Sequence, residues 1–181
     1  MWTVLFLYPV LALTLGNRLL GLQSNELLYR IENGEMPSTL DSKVYWLLIG
    51  TNDLEWGGCS PETVLVGNLH LIQTLLDRSA KRQNDESAIV VVNGILPRGK
   101  EDLATSVVWE WIQWINARLE CFADGMEGVE YFNASSYFLT TDVTDQTTRV
   151  DPKMMDDYLH PTGAGSKRWA KGIADRLHQM G

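Results

Sequence analysis

The chain of 181 residues is short of several things, and each shortage closes a class of explanation. It has two cysteines, Cys59 and Cys121, without the paired spacing of a metal-binding thiolate cluster. They are free thiols or one disulfide, and a chain of this length needs no such staple to hold a core. Three histidines, His70, His160 and His178, show no ligand spacing, so neither a metal nor an organic cofactor is implied. Lysine and arginine number 15 against 23 acids, a formal net charge of −8. The basic residues are scattered in pairs such as Lys81-Arg82 and Lys167-Arg168, which excludes the basic groove a nucleic-acid partner needs. No apolar run reaches the roughly 18 residues of a membrane span. Internal repeats and low-complexity linkers are absent as well.

What is present is the material of a folded domain. Hydrophobic residues make up 45% of the chain and seven tryptophans supply large apolar bodies, so residues 1–181 read as a single domain. The opening stretch from Met1 to Leu15 has the length of a signal-peptide core but no basic start. It reads equally as one or two core strands, which leaves the compartment open between cytoplasm and exterior. Asn133-Ala134-Ser135 matches the glycosylation sequon, a common tripeptide that here adjoins a buried strand.

Further on, buried strands alternate with amphipathic helices. A short helix starts near Ser24 or Asn25, carries Leu27, Leu28 and Ile31, and stops at Asn33-Gly34, with Pro37 beyond. Val44 to Ile49 is a continuous apolar run, the pattern of a strand covered on both faces. Ser60-Pro61-Glu62 supplies a cap, a first-turn proline and an acid for a helix bearing Val64, Leu65, Leu69, Ile72, Leu75 and Leu76. Ala88 to Val92 is the next strand, followed by a helix with Val108, Trp111, Ile112, Ile115, Leu119 and Phe122 at helical spacing. Val129 to Phe132 makes another strand, and Thr162-Gly163 opens a last helix with Trp169, Ile173 and Leu177 inward. Such alternation predicts parallel β-α units in a three-layer α/β/α sandwich with a central parallel sheet. Ligands of such sheets bind beyond the carboxyl ends of the strands.

Two short stretches fall where chemistry is expected. In Asp157-Tyr158-Leu159-His160-Pro161 a carboxylate stands three positions before a histidine. It can fold back on the imidazole, accept the Nδ1 hydrogen and leave Nε2 to take a proton from a nucleophile. The same spacing also serves a turn histidine ahead of the last helix. Gly50-Thr51-Asn52-Asp53 lies where the chain leaves the Val44–Ile49 run, and the amide of Asn52 either donates to a developing oxyanion or bonds its own turn. Beyond it, Leu54 and Trp56 are candidates for lining a substrate pocket, Trp56 equally for packing over its loop.

Taken in that order, Gly50-Thr51-Asn52-Asp53 and Asp157-x-x-His160-Pro161 resemble the SGNH (GDSL-type) hydrolase superfamily, a flavodoxin-like fold. Leu28 to Glu35 and Ile95-Leu96-Pro97-Arg98-Gly99 are similar to its platelet-activating-factor acetylhydrolase-like branch. The resemblance covers residues 20 to 180. It implies a serine esterase or acylhydrolase acting on a small-molecule ester or acylated substrate, with His160 as base and Asp157 orienting it. Asn52 and the Gly21 amide would be oxyanion donors, and no cofactor is implied.

The departures from that pattern lie at the start of the chain. The family's first block ends a strand in Gly-Asp-Ser, whose serine is the nucleophile, and this sequence contains no Gly-Asp-Ser. Val4-Leu5-Phe6-Leu7 resembles the approach strand, but Tyr8-Pro9-Val10 stands where the block would be, and Leu22 replaces a common aspartate. Residues 1–20 therefore read as atypical or truncated, with the first strand region incomplete or altered and part of the sheet left unpaired. The nucleophile is unassigned; Ser24 is the nearest hydroxyl in sequence. An SGNH-type esterase truncated here at its nucleophile block, a pseudoenzyme that binds an ester or glycan, and a non-catalytic scaffold subunit all stay open, as does the oligomeric state.

Overall fold

Four consecutive buried residues, Val44-Tyr45-Trp46-Leu47, form strand β2, and their burial on both faces is what a continuous apolar run predicts. In the computed structural model, which describes residues 4–7, 23–36, 42–80 and 88–180, β2 sits inside a parallel sheet. Its neighbours are β1 (Val4–Leu7) and β3 (Ile89–Asn93), and β4 (Val129–Phe132) pairs beyond β3, giving the order β1-β2-β3-β4. Val4 lies opposite Val44, Val44 opposite Ile89, and Val90 opposite Val129. The chain from Val4 to Leu7 thus supplies a full-length partner for β2. Burial of its side chains, and of Leu11 to Leu15, lies outside the described residues.

Helices alternate with these strands along the chain, as the α/β reading requires. They are α1 (Ser24–Arg30), α2 (Thr51–Glu55), α3 (Pro61–Ala80), α4 (Val107–Gly125) and α5 (Gly163–Met180). The chain divides into two compact units, residues 1–94 with 115–132 and residues 95–114 with 133–181.

In the first unit the core is β2, β3 and the inner side of α3. Val64, Leu71, Ile72 and Leu75 are buried on α3 together with Asn68 and Ser79. Leu65, Leu69 and Leu76, expected inward, are only half-buried. The inner stripe is narrower and shifted because two polar residues occupy it; Asn68 enters by bonding its own helix, Nδ2 donating to Val64 O at 3.0 Å. Each fully buried leucine or isoleucine here contributes about 1.5–3 kcal/mol. Ser60 caps α3 as expected, accepting the Thr63 N–H through Oγ at 3.4 Å, and Pro61 takes the first helical position. Helix α1 runs on through a wider turn over Ile31–Glu35, where Gly34 has φ +103°.

The second unit holds the start of α4, a hairpin and α5. Ser106 caps α4, its Oγ accepting the Trp109 N–H at 3.3 Å. On α4 as a whole the buried positions are Trp109, Ile112, Ile115, Asn116, Leu119 and Ala123, so Trp109 rather than Trp111 is the tryptophan of its inner face. The antiparallel hairpin β5 (Leu139–Thr141) and β6 (Thr148–Val150) has no counterpart in the sequence reading. Its connection is tied by Asp142 and Asp145, which accept N–H bonds from Thr144 and Thr147 at 2.8 and 2.9 Å. On α5, Ile173 is buried, and half-buried Trp169 meets Phe138 edge-on at 6.0 Å. Among the described residues no helix is long and apolar enough to cross a membrane.

Candidate active site

The loop before α5 brings Asp157 and His160 together. Asp157 Oδ2 lies 2.6 Å from His160 Nδ1, while Oδ1 accepts the N–H groups of His160 at 2.7 Å and Leu159 at 2.9 Å. These backbone donors, with the His160 N–H the strongest, hold the Asp157 carboxyl down to about 2 from its ordinary 3.8. The acid is therefore charged at any neutral pH and fixes the imidazole by its Nδ1 side. Among the described residues nothing takes Nε2, and the side chains are 61% and 51% exposed for His160 and Asp157.

Two residues separate them, and the first has an unusual backbone conformation. Tyr158 has φ +61°, a left-handed conformation that few non-glycine residues adopt. It is held from both sides, its N–H donating to Met155 O at 3.1 Å and its carbonyl accepting the Gly99 N–H at 3.1 Å. The Lys100 ammonium lies 5.4 Å from the centre of its ring. The Pro97-Arg98-Gly99 segment thus buttresses the histidine loop, a role its sequence does not reveal. At the other end Thr162 caps α5, with Oγ1 accepting the Gly165 N–H at 3.1 Å and its own N–H donating to Met154 O at 2.8 Å. Gly165 packs directly on the Met154 carbonyl, where a β-carbon would collide with backbone.

In the first unit, the chain leaves the sheet after β2 through Gly50, whose φ of +119° demands glycine, and turns at once into α2. Asn52 lies on that short helix, half-buried, with its carbonyl accepting the Trp56 N–H at 2.9 Å and the Gly57 N–H at 3.1 Å. Leu54 is buried at 7% exposure, whereas Trp56 stands out at 76%. Gly21 lies outside the described residues. Asp53 is a participant the sequence reading left without a role: it is buried and accepts the Ser24 N–H at 3.0 and 3.2 Å.

The helix expected to start near Ser24 or Asn25 begins at Ser24. Gln23 is the N-cap of α1, in a reciprocal bond with Glu26, whose Oε2 accepts the Gln23 N–H at 2.8 Å. Ser24 is the first helical residue, and its hydroxyl is buried against Gly67 of α3 without a hydrogen-bond partner. Facing a helix backbone is a poor position for a nucleophile. Cys59 and Cys121 are both free thiols, and exposed Asn133 accepts the Ser135 N–H at 3.0 Å. No group of three or more histidine, cysteine or acidic side chains among the described residues is placed to hold a metal ion.

The family of GDSL-like lipases and acylhydrolases matches residues 11–168, most of the chain. The protein belongs to that family. No curated protein sequence matches it. Among solved structures, a GDSL-like lipase from Bacteroides thetaiotaomicron superposes with a TM-score of 0.69 at 18% identity, covering 88% of this chain and 73% of the other. A protein described as a platelet activating factor from Streptococcus pneumonia gives 0.68 at 21% identity, covering 97% and 84%. A carbohydrate esterase family 3 structure from Talaromyces cellulolyticus gives 0.61 at 16%, covering 88% and 68%. At such identities the likeness establishes the fold alone, and that fold is the one expected of a GDSL-like acylhydrolase.

Proposed function

We propose that this GDSL-like chain is built to handle carboxylic esters, with Asp157 and His160 as the base end of an acyl-transfer site. The observation that carries the proposal is the 2.6 Å Asp157–His160 contact on a loop that holds both residues by backbone bonds. In this reading His160 Nε2 takes the proton of a nucleophile as its oxygen bonds to the ester carbonyl. Asn52 Nδ2 and the Gly21 N–H receive the oxyanion, a contribution of about 3–4 kcal/mol for a preorganised donor. His160 then returns the proton to the departing alcohol, and water releases the acid by the same steps. Residues 1–181 are taken as one such domain, because the family match runs through both compact units.

A second reading has its own observation. Tyr8-Pro9-Val10 stands where the family carries Gly-Asp-Ser, and without a hydroxyl within about 3 Å of Nε2 the acyl-enzyme cannot form. This polypeptide then binds an acyl ligand without turning it over efficiently. One experiment orders the two readings: treatment with an organophosphonate serine probe. The unaltered chain should not label, and labelling lost on Ser24→Ala would overturn that expectation and make Ser24 the nucleophile. The combined replacement Tyr8→Gly, Pro9→Asp and Val10→Ser should gain labelling, and His160→Ala should remove it by about a thousandfold or more. Failure of the restored chain to label would sink the acyl-transfer reading. Under the binding-only reading, short esters should raise the melting temperature of the unaltered chain, and Asn52→Ala should abolish the rise.

A further inference from the structure

We infer that Asp53 is a positioning residue that ties the turn carrying Asn52 to the start of α1; the inference rests on the oxyanion reading of Asn52 given above. Carboxylates are seldom as buried as Asp53, at 6% exposure, unless a partner holds them. Here both oxygens converge on one donor, the Ser24 N–H, at 3.0 Å and 3.2 Å, from a residue 29 positions earlier. That donor belongs to the first turn of a helix, where N–H groups have no intrahelical acceptor and negative charge is favoured. The other end of Asp53 is held too, its carbonyl accepting the Cys59 N–H at 2.9 Å.

The neighbouring contacts leave this junction little freedom. A β-carbon on Gly57 would lie 2.9 Å from Gln23 Nε2 and 2.8 Å from the Asp53 carbonyl, so the loop after α2 is seated on the cap of α1. A β-carbon on Gly67 would lie 3.0 Å from Ser24 Cβ, so α3 closes the junction from a third side. Asn52 adjoins Asp53 in the chain and shares its short helix, so the Asp53–Ser24 bond holds the backbone that carries the Asn52 amide. Ser24 in turn stands three residues after Gly21 in sequence. One carboxylate therefore constrains both the turn that carries Asn52 and the start of α1. Misplacement of such donors by about 1 Å costs on the order of a hundredfold in rate, which gives the tie its value.

The test is heteronuclear NMR on the full chain. In Asp53→Ala, amide exchange at Ser24 should rise at least tenfold and the Asn52 side-chain NH2 signals should move, while those of Asn93, buried on β3, stay in place. Asp53→Asn keeps one acceptor and should hold Ser24 exchange within about threefold of the unaltered chain, with its amide proton moved upfield as the acceptor loses charge. That variant decides the matter if Asp53→Ala does not fold. Unmoved Asn52 signals in Asp53→Ala, or an unmoved Ser24 proton in Asp53→Asn, would overturn the inference. Acetate is the probe for the donor itself. It should displace the Asn52 NH2 signals in the unaltered chain, with at least fivefold weaker affinity in Asp53→Ala, an effect that loss of stability alone does not produce. If acetate leaves Asn52 untouched in the unaltered chain, the oxyanion reading fails, and the exchange data still judge the tie between Asp53 and Ser24.

Discussion

Asp157 and Asp53 perform the same elementary act in different surroundings. Each accepts backbone N–H groups and thereby shapes a segment proposed for the site. Asp157 closes on residues two and three positions ahead, half open to solvent, whereas Asp53 reaches a residue 29 positions back and is buried. The local loop is assembled by short-range geometry and is held at its ends, by Gly99 on one side and by Thr162 and Gly165 on the other. The turn of the first unit takes its form from tertiary contacts among α1, α2 and α3. One should respond to changes in its own few residues; the other to changes in distant elements.

The comparison can be pressed hardest at Gly165. A valine there would drive a side chain into the Met154 carbonyl, which is backbone and cannot swing aside. Gly165→Val should cost about 3 kcal/mol, the upper end of overpacking, read as a lower melting temperature with faster amide exchange over residues 157–160. An unchanged exchange pattern would mean that the loop does not depend on its seat on α5.

Acid sensitivity is the next, smaller effect. The Asp157 carboxyl is lowered from 3.8 to about 2, so in that window the unfolded chain binds more protons than the folded one. Its contribution is fully present above about pH 4 and is lost as pH falls toward 2. Asp157→Asn should flatten the decline of melting temperature over that interval and lower the melting temperature slightly at pH 7, where the contribution it removes is fully present but small because the pair is exposed and screened. An identical acid limb in both proteins would refute the assignment of that interval to Asp157.

Smallest is Ser24→Ala. The hydroxyl is buried and without a partner, so its removal should be neutral or stabilise by up to about 1 kcal/mol in a denaturant melt. Marked destabilisation would show that the hydroxyl satisfies a group at the junction.

How much of this is legible in the sequence follows the same division. The Asp157-x-x-His160 contact, the Ser60-Pro61 start of α3 and the glycine at the end of β2 are written in neighbouring residues, and the structure has them where spacing places them. The buried stripe of α3 could not be read fully, because Asn68 satisfies its amide on its own helix and so enters the core where a leucine was expected. Asp53, buttressing by Gly99 and the β5–β6 hairpin were missed for a related reason. Their partners are set by the fold, and the threonine- and aspartate-rich hairpin lacks the apolar alternation that announces a strand.

The order β1-β2-β3-β4 also has a consequence in time. Each parallel neighbour lies roughly forty residues further along the chain, as the pairs Val4 with Val44 and Val90 with Val129 illustrate. At about 5–20 residues per second of synthesis, the partner of Val4–Leu7 emerges roughly 2–8 seconds after it. For that interval an apolar Val-Leu-Phe-Leu segment has no neighbouring strand of this sheet to join.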